Sequence, residues 1–312
     1  MTSEAPSSTP WDAATAAPRR RSGFGGIFYR SETLRGYALV LPIVLAVGIF
    51  LSIALVNTIL TSLWVQDYME IRPDWTIAQY VTALTHSGYR MLFIRSLWIS
   101  GLTTLLCVII AYPIAYFVAF YGGRRKMIWI ILLTVPFWTS YLLRVFAWKV
   151  ILGYNGVINS GLMSLGLIDQ PIEILLYNPV AIVITLTHAW LPFAILPIYV
   201  SLDKIDRSYV EAASDLGDGA VARFLRVVLP LSLPGVVAAS LMIFIPTVGD
   251  YVTPVMVGGP DGMMIGNAIA ANFGKVSNWP LGSALSLTSM VIVTLVSVGY
   301  MTLGRRLSER VA

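Results

Sequence analysis

Residues 203–235 read DKIDRSYVEAASDLGDGAVARFLRVVLPLSLPG, a polar stretch that separates two long apolar runs. Within this stretch, Ser208 is followed three residues later by Glu211, the spacing of a capping box at the start of a helix. Gly217 predicts the end of that helix, because glycine readily adopts the left-handed conformation of a helix C-terminus. The segment therefore begins with one short helix of about two turns.

A second short helix is expected after Asp218, whose side chain can cap it. It is expected to end before Pro230, because the residue that precedes a proline disfavours the helical conformation. Two interpretations of the segment remain open. It is an amphipathic helix on the membrane surface, or Ala212, Ala213 and Gly217 form a small-residue surface that another protein approaches closely.

The composition of the whole chain indicates a protein whose solvent is the lipid bilayer. Of its 312 residues, 57% are hydrophobic and 12% charged, and the mean hydropathy is +0.76. A soluble domain carries about 25% charged residues. Crossing a hydrocarbon core of about 30 Å takes about 20 apolar residues. Six runs of that length predict an all-α integral membrane protein with six transmembrane helices, at Tyr37–Leu63, Leu97–Phe120, Met127–Leu152, Val180–Leu202, Val236–Val257 and Ala284–Leu303.

The distribution of basic residues predicts the orientation of these spans. The N-terminal segment, the second and fourth connections and the C-terminal end together carry 15 of the 21 Lys and Arg residues. Cationic residues are retained preferentially on the cytoplasmic side. Both termini and the 203–235 segment are therefore expected in the cytoplasm.

The ends of the chain and one external connection carry further predictions. Residues 1–33 are rich in Ser, Thr, Pro and Ala and are expected to form a disordered cytoplasmic tail, and residues 307–312 a short cytoplasmic one. A cleaved signal peptide is disfavoured because the first apolar run is longer than a signal core of about 7 to 15 residues. In the first external connection, Trp75–Tyr89 predicts an interfacial helix. The external connections are docking surfaces or simple closing loops.

Two charges fall inside predicted spans, and charges there normally face the protein interior or a water-filled cavity. Asp250 lies between Pro246 and Pro254, so the fifth span is expected to break and expose its backbone to a cavity. A carboxylate beside Tyr251 suits a cationic substrate through charge pairing and cation–π attraction. The alternative is a structural ion pair between Asp250 and Arg144.

Aromatic residues surround Arg144 in the third predicted span. Trp138, Tyr141 and Trp148 recur at helical spacing, and Trp138 and Tyr141 are expected on the substrate pathway together with Asp250, Tyr251 and Arg144. Interfacial anchoring is the alternative, because Trp and Tyr are enriched near the ends of spans.

The residue types required for catalysis are scarce. The sequence has one cysteine, Cys107, and two isolated histidines, His86 and His188, and it has no paired carboxylates or nucleophile motif, so no catalytic or metal site is predicted. An integral-membrane enzyme is therefore disfavoured. The phosphate-binding motif G-x-x-x-x-G-K-[ST] is also absent, so this chain is expected to hold no cofactor and any ATP to be hydrolysed elsewhere. A passive channel remains an alternative.

The 203–235 segment resembles the EAA motif of binding-protein-dependent ABC transporter permeases, in both its residues and its position between spans four and five. This resemblance implies the type I ABC importer permease fold over residues 34–306, in which the segment is a coupling helix seated on an ATPase subunit. By resemblance, the coupling residues are Glu211, Ala212, Ala213, Leu216, Gly217, Leu229 and Pro230.

Shorter motifs narrow the resemblance to the spermidine/putrescine-type permeases, as the first of their two permease subunits. They are PFWT at 136–139, DYVTP at 250–254, GGPD at 258–261, MIGN at 264–267 and NWP at 278–280. The resemblance implies an importer of a small organic cation, spermidine or putrescine, in the inner membrane. An opine or another small organic solute is the alternative substrate.

The resemblance also implies an assembly that works by alternating access. The expected partners are a second homologous permease, two copies of an ATPase that binds ATP and Mg, and a periplasmic or lipid-anchored solute-binding protein. The chain is expected to lie in the lipid bilayer and to bind no nucleic acid.

Overall fold

The computed structural model describes residues 32–68, 70–175 and 177–309. The predicted tail at 1–33 lies outside these residues, except that residues 32 and 33 belong to the first helix. The last helix extends through residue 309, so only residues 310–312 of the predicted C-terminal tail lie outside. The chain divides between Asn57 and Thr58 into two compact units.

Helices make up most of the described chain, accompanied by one small hairpin. The α-helices and strands are α1 Glu32–Ser62, β1 Val65–Asp67, β2 Glu70–Arg72, α2 Ala78–Thr85, α3 Ser87–Tyr121, α4 Lys126–Thr134, α5 Tyr141–Leu152, α6 Val157–Ser164, α7 Pro179–Asp203, α8 Arg207–Asp215, α9 Ala220–Arg223, α10 Leu229–Val248, α11 Ile265–Phe273 and α12 Trp279–Glu309. Short 3₁₀ segments lie at Gly123–Arg125, Val135–Trp138, Glu173–Leu175 and Pro260–Gly262, and π-helical segments at Phe224–Val228 and Pro254–Gly258.

Six spans are present when the third is counted as a broken one. In the described part of the chain, five helices are long and apolar enough to cross a membrane, and a bent pair, Gly123–Trp138 with Tyr141–Ser164, makes the sixth. The third span predicted at Met127–Leu152 is therefore not one continuous helix, because the chain turns by 84° after Trp138. Pro136 lies in the 3₁₀ turn before the bend, and Thr139 is extended. Proline removes a backbone donor, which favours a break at this point.

The ends of the spans follow caps rather than hydropathy. The side chain of Asn178 accepts from the backbone N–H groups of Val180 and Ala181, so α7 begins at Pro179. The side chain of Asn278 accepts from Leu281, and α12 begins five residues before the predicted start of the sixth span. Asn is a preferred N-cap because its side chain satisfies a helix N–H that has no partner in the first turn.

Helices α3, α7 and α10 share one core, in which alanines of all three helices lie beside larger side chains such as Ile198 and Ile243. On α3, Cys107, Ala111, Ala115 and Ala119 are buried at intervals of four residues, so they form one face of the helix. A Cβ on Gly235 of α10 would lie 2.4 Å from Cβ of Ser201 on α7. Small residues allow backbones to approach in this way, which is how helices associate in a membrane.

The connection before α3 contains the hairpin and the predicted helix. Strands β1 and β2 pair antiparallel, with Val65 opposite Arg72. The helix predicted at Trp75–Tyr89 is shorter, at Ala78–Thr85, because His86 is extended and its Nδ1 accepts from the backbone N–H of Gly88 at the start of α3. Whether α2 is interfacial stays a prediction.

Candidate functional site

Helix α8 has its N-cap two residues before the predicted one. Its N-cap is Asp206, whose Oδ1 accepts from the backbone N–H of Ser208 at 3.0 Å. The prediction that Ser208 caps the helix is therefore wrong, and Ser208 lies inside the first turn. Hydrogen bonds from the backbone and the side chain of Ser208 hold the pKa of the Asp206 carboxyl below its ordinary value. A carboxylate is favoured here by the partial positive charge of the helix N-terminus.

The predicted stop at Gly217 is confirmed. Gly217 has a φ of +89°, and its N–H donates to Ser214 O at 3.0 Å. The N–H of Asp218 donates to Ala213 O at 3.0 Å. These two bonds form a Schellman motif, which satisfies the last carbonyls of the helix and requires a left-handed residue at Gly217.

The second half of the segment departs from the prediction in two ways. Asp218 does not cap α9, whose N-cap is Gly219, and instead forms a 2.9 Å ion pair with Arg226. The helical structure that starts with α9 also does not end before Pro230. The N–H of Leu229 reaches back five residues to Phe224 O, and this π-helical turn leads directly into α10, where Pro230 lies in the first turn. A missing proline N–H is tolerated there.

The exposed surface of α8 does not consist only of small side chains, as the sequence had suggested. Leu216 is 88% exposed, whereas Ala213 is 8% exposed and packs inward, so the predicted small-residue surface does not include Ala213. The predicted coupling residues divide into two groups. The exposed ones are Glu211, Ala212, Leu216 and Gly217, and those within the fold or half-buried are Ala213, Leu229 and Pro230.

Two polar contacts connect this segment to the ends of the spans. Arg207 at the start of α8 donates to the carbonyl of Phe120 at 3.1 Å, close to the C-terminus of α3. Lys126 at the start of α4 forms an ion pair with Asp203 at the end of α7. A cation near a helix C-terminus is stabilised by the helix dipole. These two contacts attach the segment to the ends of α3, α4 and α7.

The second candidate site is the break in the fifth span, which was expected from the sequence. Helix α10 ends at Val248, residues 249–251 are not helical, and helical structure resumes at Val252. Oδ1 of Asp250 accepts from the N–H of Val252 at 2.9 Å and so caps the segment that follows. Asp250 is half-buried and Tyr251 is 53% exposed, so a carboxylate and an aromatic ring lie together at interrupted backbone.

Tyr141 connects this break to the break in the third span. It is the first residue of α5, and its hydroxyl donates to Oδ2 of Asp250 at 2.7 Å. The same hydroxyl lies 2.6 Å from Oγ1 of Thr253. The structure therefore brings together three of the predicted pathway residues, Asp250, Tyr251 and Tyr141.

Arg144 has other partners. Among the ion pairs in the described residues, none joins Arg144 to Asp250. Its guanidinium donates to the carbonyls of Ala189, Pro136, Phe137 and Thr139 at 3.1 to 3.4 Å and lies 4.6 Å from the centre of the Phe137 ring. These contacts hold the bend of the third span against α7. A role for Arg144 in the pathway stays a prediction.

The other aromatic residues of the third span lie apart from Asp250. Trp138 is 90% exposed at the end of the 3₁₀ turn, and in the described residues no hydrogen bond or ring contact joins it to Asp250. Trp148 donates from Nε1 to Nδ1 of His188 at 3.0 Å. Tyr141 packs 6.4 Å from the ring of Trp190. Among these aromatic residues of the described chain, Tyr141 alone forms a hydrogen bond with Asp250.

Two contacts at the break were not predicted from the sequence. Thr253 lies against the Tyr141 hydroxyl, and Asn267 donates from Nδ2 to the carbonyl of Tyr251 at 2.8 Å. The available signal for Asn267 was the MIGN motif at 264–267, which indicated a subfamily without indicating a contact.

Comparison with known proteins identifies the class. Residues 111–311 match the family described as binding-protein-dependent transport system inner membrane component, and the chain belongs to this family. It is thus a multi-pass inner-membrane permease of the ABC transporter type.

Several curated relatives are similar over most of the chain. The spermidine/putrescine transport system permease protein PotB of Escherichia coli is 34% identical over 245 residues, covering 78% of this chain and 88% of that protein. PotB of Haemophilus influenzae is 36% identical over 236 residues, covering 76% and 82%. The inner membrane ABC transporter permease protein YdcU of Escherichia coli is 31% identical over 296 residues, covering 88% and 92%.

Solved structures support the fold. A chain of a bacterial ABC transporter that imports the acidic polysaccharide alginate superposes with a TM-score of 0.67 at 16% identity, covering 90% of this chain and 98% of that one. A chain of the MetNI methionine ABC transporter superposes with a TM-score of 0.50 at 15% identity, covering 73% and 100%. The type I importer permease fold predicted from the sequence is confirmed.

Proposed function

We propose that this chain is one permease subunit of an ATP-driven ABC importer that moves a polyamine, spermidine or putrescine, into the cell by alternating access. The observation that carries the proposal is the 34–36% identity, over about three quarters of the chain, to permeases named for spermidine and putrescine transport. The cytoplasmic placement of both termini, expected from the basic residues, is part of the same proposal.

The break in the fifth span is proposed as a contact point for the substrate. An ammonium group near Asp250 pairs with its carboxylate, an attraction of about 1 to 4 kcal/mol at 4 Å at effective dielectric constants between 80 and 20. The exposed ring of Tyr251 adds a cation–π attraction of about 0.5 to 2 kcal/mol. Polyamines carry several ammonium groups, so a half-buried carboxylate beside an aromatic ring fits their chemistry. Tyr141, Trp138 and Arg144 remain proposed pathway residues.

Helix α8 is proposed as the coupling helix. Its exposed Leu216 and the left-handed turn at Gly217 present an apolar knob that fits a cleft on an ATPase subunit. In this proposal, ATP and Mg are bound by two copies of that subunit and not by this chain. A second homologous permease and a periplasmic or lipid-anchored solute-binding protein complete the assembly.

The test is uptake of labelled spermidine and putrescine into vesicles that contain the co-expressed complex, with and without ATP and the binding protein. Uptake that requires both supports the proposal. ATP turnover stimulated by the binding protein without polyamine uptake would retain the importer and replace the substrate by an opine or another small organic solute. Flux without ATP would indicate a passive channel.

One variant pair tests the contact at the break. Asp250→Asn retains an oxygen that can cap Val252 but removes the charge, so the substrate concentration for half-maximal uptake is expected to rise at least about fivefold, the equivalent of 1 kcal/mol. Asp261→Asn, in an exposed 3₁₀ turn, is the matched control and is expected to change it less than twofold. Equal values for both variants would contradict the substrate contact at Asp250.

A further inference from the structure

We infer that Gly266 and Asn267, in the first turn of α11, are positioning residues that set the geometry of the break at Asp250 and Tyr251. The inference rests on the proposed function, because it concerns how the proposed substrate contact is held. Gly266 has no side chain, and the side-chain amide of Asn267 is used in contacts with the backbone, so neither residue is proposed to bind the cation. They act on the backbone of the residues that do.

Gly266 allows α11 to lie directly against the interrupted backbone. A Cβ at this position would lie 2.7 Å from the carbonyl oxygen of Gly249 and 3.0 Å from that of Asp250. Both atoms belong to the main chain, so they cannot move aside as a flexible side chain would. Any larger residue at 266 therefore displaces the break or the start of α11.

Asn267 uses both ends of its side-chain amide. Its Nδ2 donates to the carbonyl of Tyr251 at 2.8 Å, and its Oδ1 accepts from the N–H of Met264 at 2.9 Å. Asn267 is 8% exposed. A carbonyl outside a regular helix loses its usual partner, and leaving it unpaired away from water is unfavourable. The amide supplies that partner and at the same time closes the first turn of α11.

The start of α11 is itself firmly held. The N–H of Ile265 donates to Oγ of Ser96 on α3 at 2.8 Å, and the side chains of Met264 and Ile265 are fully buried. Gly266 and Asn267 are therefore attached to α3 on one side and to the break on the other. The carboxylate of Asp250 follows the backbone position that these contacts impose.

The test compares each substitution with the same substitution at a control position. Asn267→Asp keeps the acceptor for Met264 and removes the donor to Tyr251. Its control is Asn272→Asp, because Asn272 is also buried on α11 but donates to Ala268 within the same helix. Gly266→Ala is compared with Gly299→Ala on α12, where a Cβ would meet no atom within 4 Å.

Two readouts are measured on the co-expressed complex. The first is the spermidine concentration for half-maximal uptake. The second does not depend on transport and is the rate at which a water-soluble maleimide labels Tyr251→Cys, introduced into each background. The native Cys107 is buried and contributes little labelling.

Asn267→Asp and Gly266→Ala are expected to change both readouts at least fivefold, and the two controls less than twofold. Unchanged labelling and uptake in Asn267→Asp would overturn the inference even if Gly266→Ala fails to fold. Absence of labelling in every background would also overturn it, because the break would then be closed to water. Labelling could change as expected while neither the variants nor the unsubstituted complex transports a polyamine. In that case the positioning role stands and the proposed function fails.

Discussion

The hydroxyl of Tyr141 donates a 2.7 Å hydrogen bond to Oδ2 of Asp250, and this contact joins two spans that are both interrupted. Tyr141 is the first residue of α5 after the bend of the third span, and Asp250 lies in the gap that follows α10. Each residue thus lies at the interruption of its own span. The bond restrains both breaks with a single contact.

Tyr141→Phe is expected to destabilise the protein. The substitution removes a hydrogen bond to a carboxylate, and such bonds contribute about 1.5 to 3 kcal/mol. The measurement is the thermal unfolding temperature of the purified complex, which is expected to fall. Tyr68→Phe is the control, because Tyr68 is 95% exposed. Equal unfolding temperatures for the two variants would show that the contact adds nothing to stability.

Gly217→Trp is expected to abolish uptake while the protein still inserts into the membrane. A Cβ at Gly217 meets no atom within 4 Å, so a side chain here starts in open space and is expected to clash with a bound partner. The left-handed conformation adds a strain of about 1 to 2 kcal/mol. Gly166→Trp controls for that strain, because Gly166 has a φ of +67° and equally open surroundings in the connection before α7. Similar uptake in the two variants would argue against α8 as the coupling helix.

Arg144→Lys is expected to destabilise the protein although the positive charge is retained. The guanidinium donates to four carbonyls on both sides of the bend, and a lysine ammonium cannot reproduce that planar geometry. We expect a loss of about 1.5 to 3 kcal/mol in unfolding free energy, the contribution of one charge-assisted hydrogen bond. Arg90→Lys, at an exposed position, serves as the control in thermal unfolding of the complex. An unchanged midpoint for Arg144→Lys would refute the structural role.

The N-cap of α8 is expected to weaken at low pH. The pKa of Asp206 is lowered by hydrogen bonds from Ser208, so the ionised carboxylate stabilises the helix above the ordinary carboxyl pKa. That contribution is lost as the pH falls through the lowered pKa. Amide hydrogen exchange at Ser208, corrected for the intrinsic pH dependence, is expected to speed up in that acidic range. Asp206→Asn keeps a neutral acceptor and is expected to remove the pH dependence; its persistence in that variant would exclude Asp206 as the cause.

Sequence reasoning predicted the spans well because burial in lipid leaves a direct mark on composition. An apolar run of about 20 residues is needed whatever the tertiary structure, so all six runs correspond to spans, and four of them are continuous helices, while the third and fifth are interrupted. Gly217 was predicted for a similar reason, since a left-handed residue is a local requirement. Pro246 and Pro254 likewise indicated the break at Asp250.

Predictions that depended on competition between neighbouring residues were less successful. Asp206 and Ser208 are both good caps, and the sequence does not state which one begins the helix. Pro230 normally follows the end of a helix, but the π turn at Phe224–Val228 carries the chain through it. The break of the third span at Thr139 was hidden because the residues on both sides are apolar.

The sequence alone determined that this protein crosses a membrane several times, that a polar segment with a left-handed turn separates two of its spans, and that Asp250 lies at a weak point of a helix. Each follows from local chemistry: hydrocarbon length, glycine conformation and the missing donor of proline. Only the tertiary structure decided the partners of the charges. In the folded protein, Arg144 donates to four carbonyls, Tyr141 donates to Asp250, and Asn267 donates to the carbonyl of Tyr251. Such pairs join residues that are distant in the chain, and their formation depends on helix packing that no short stretch of sequence encodes.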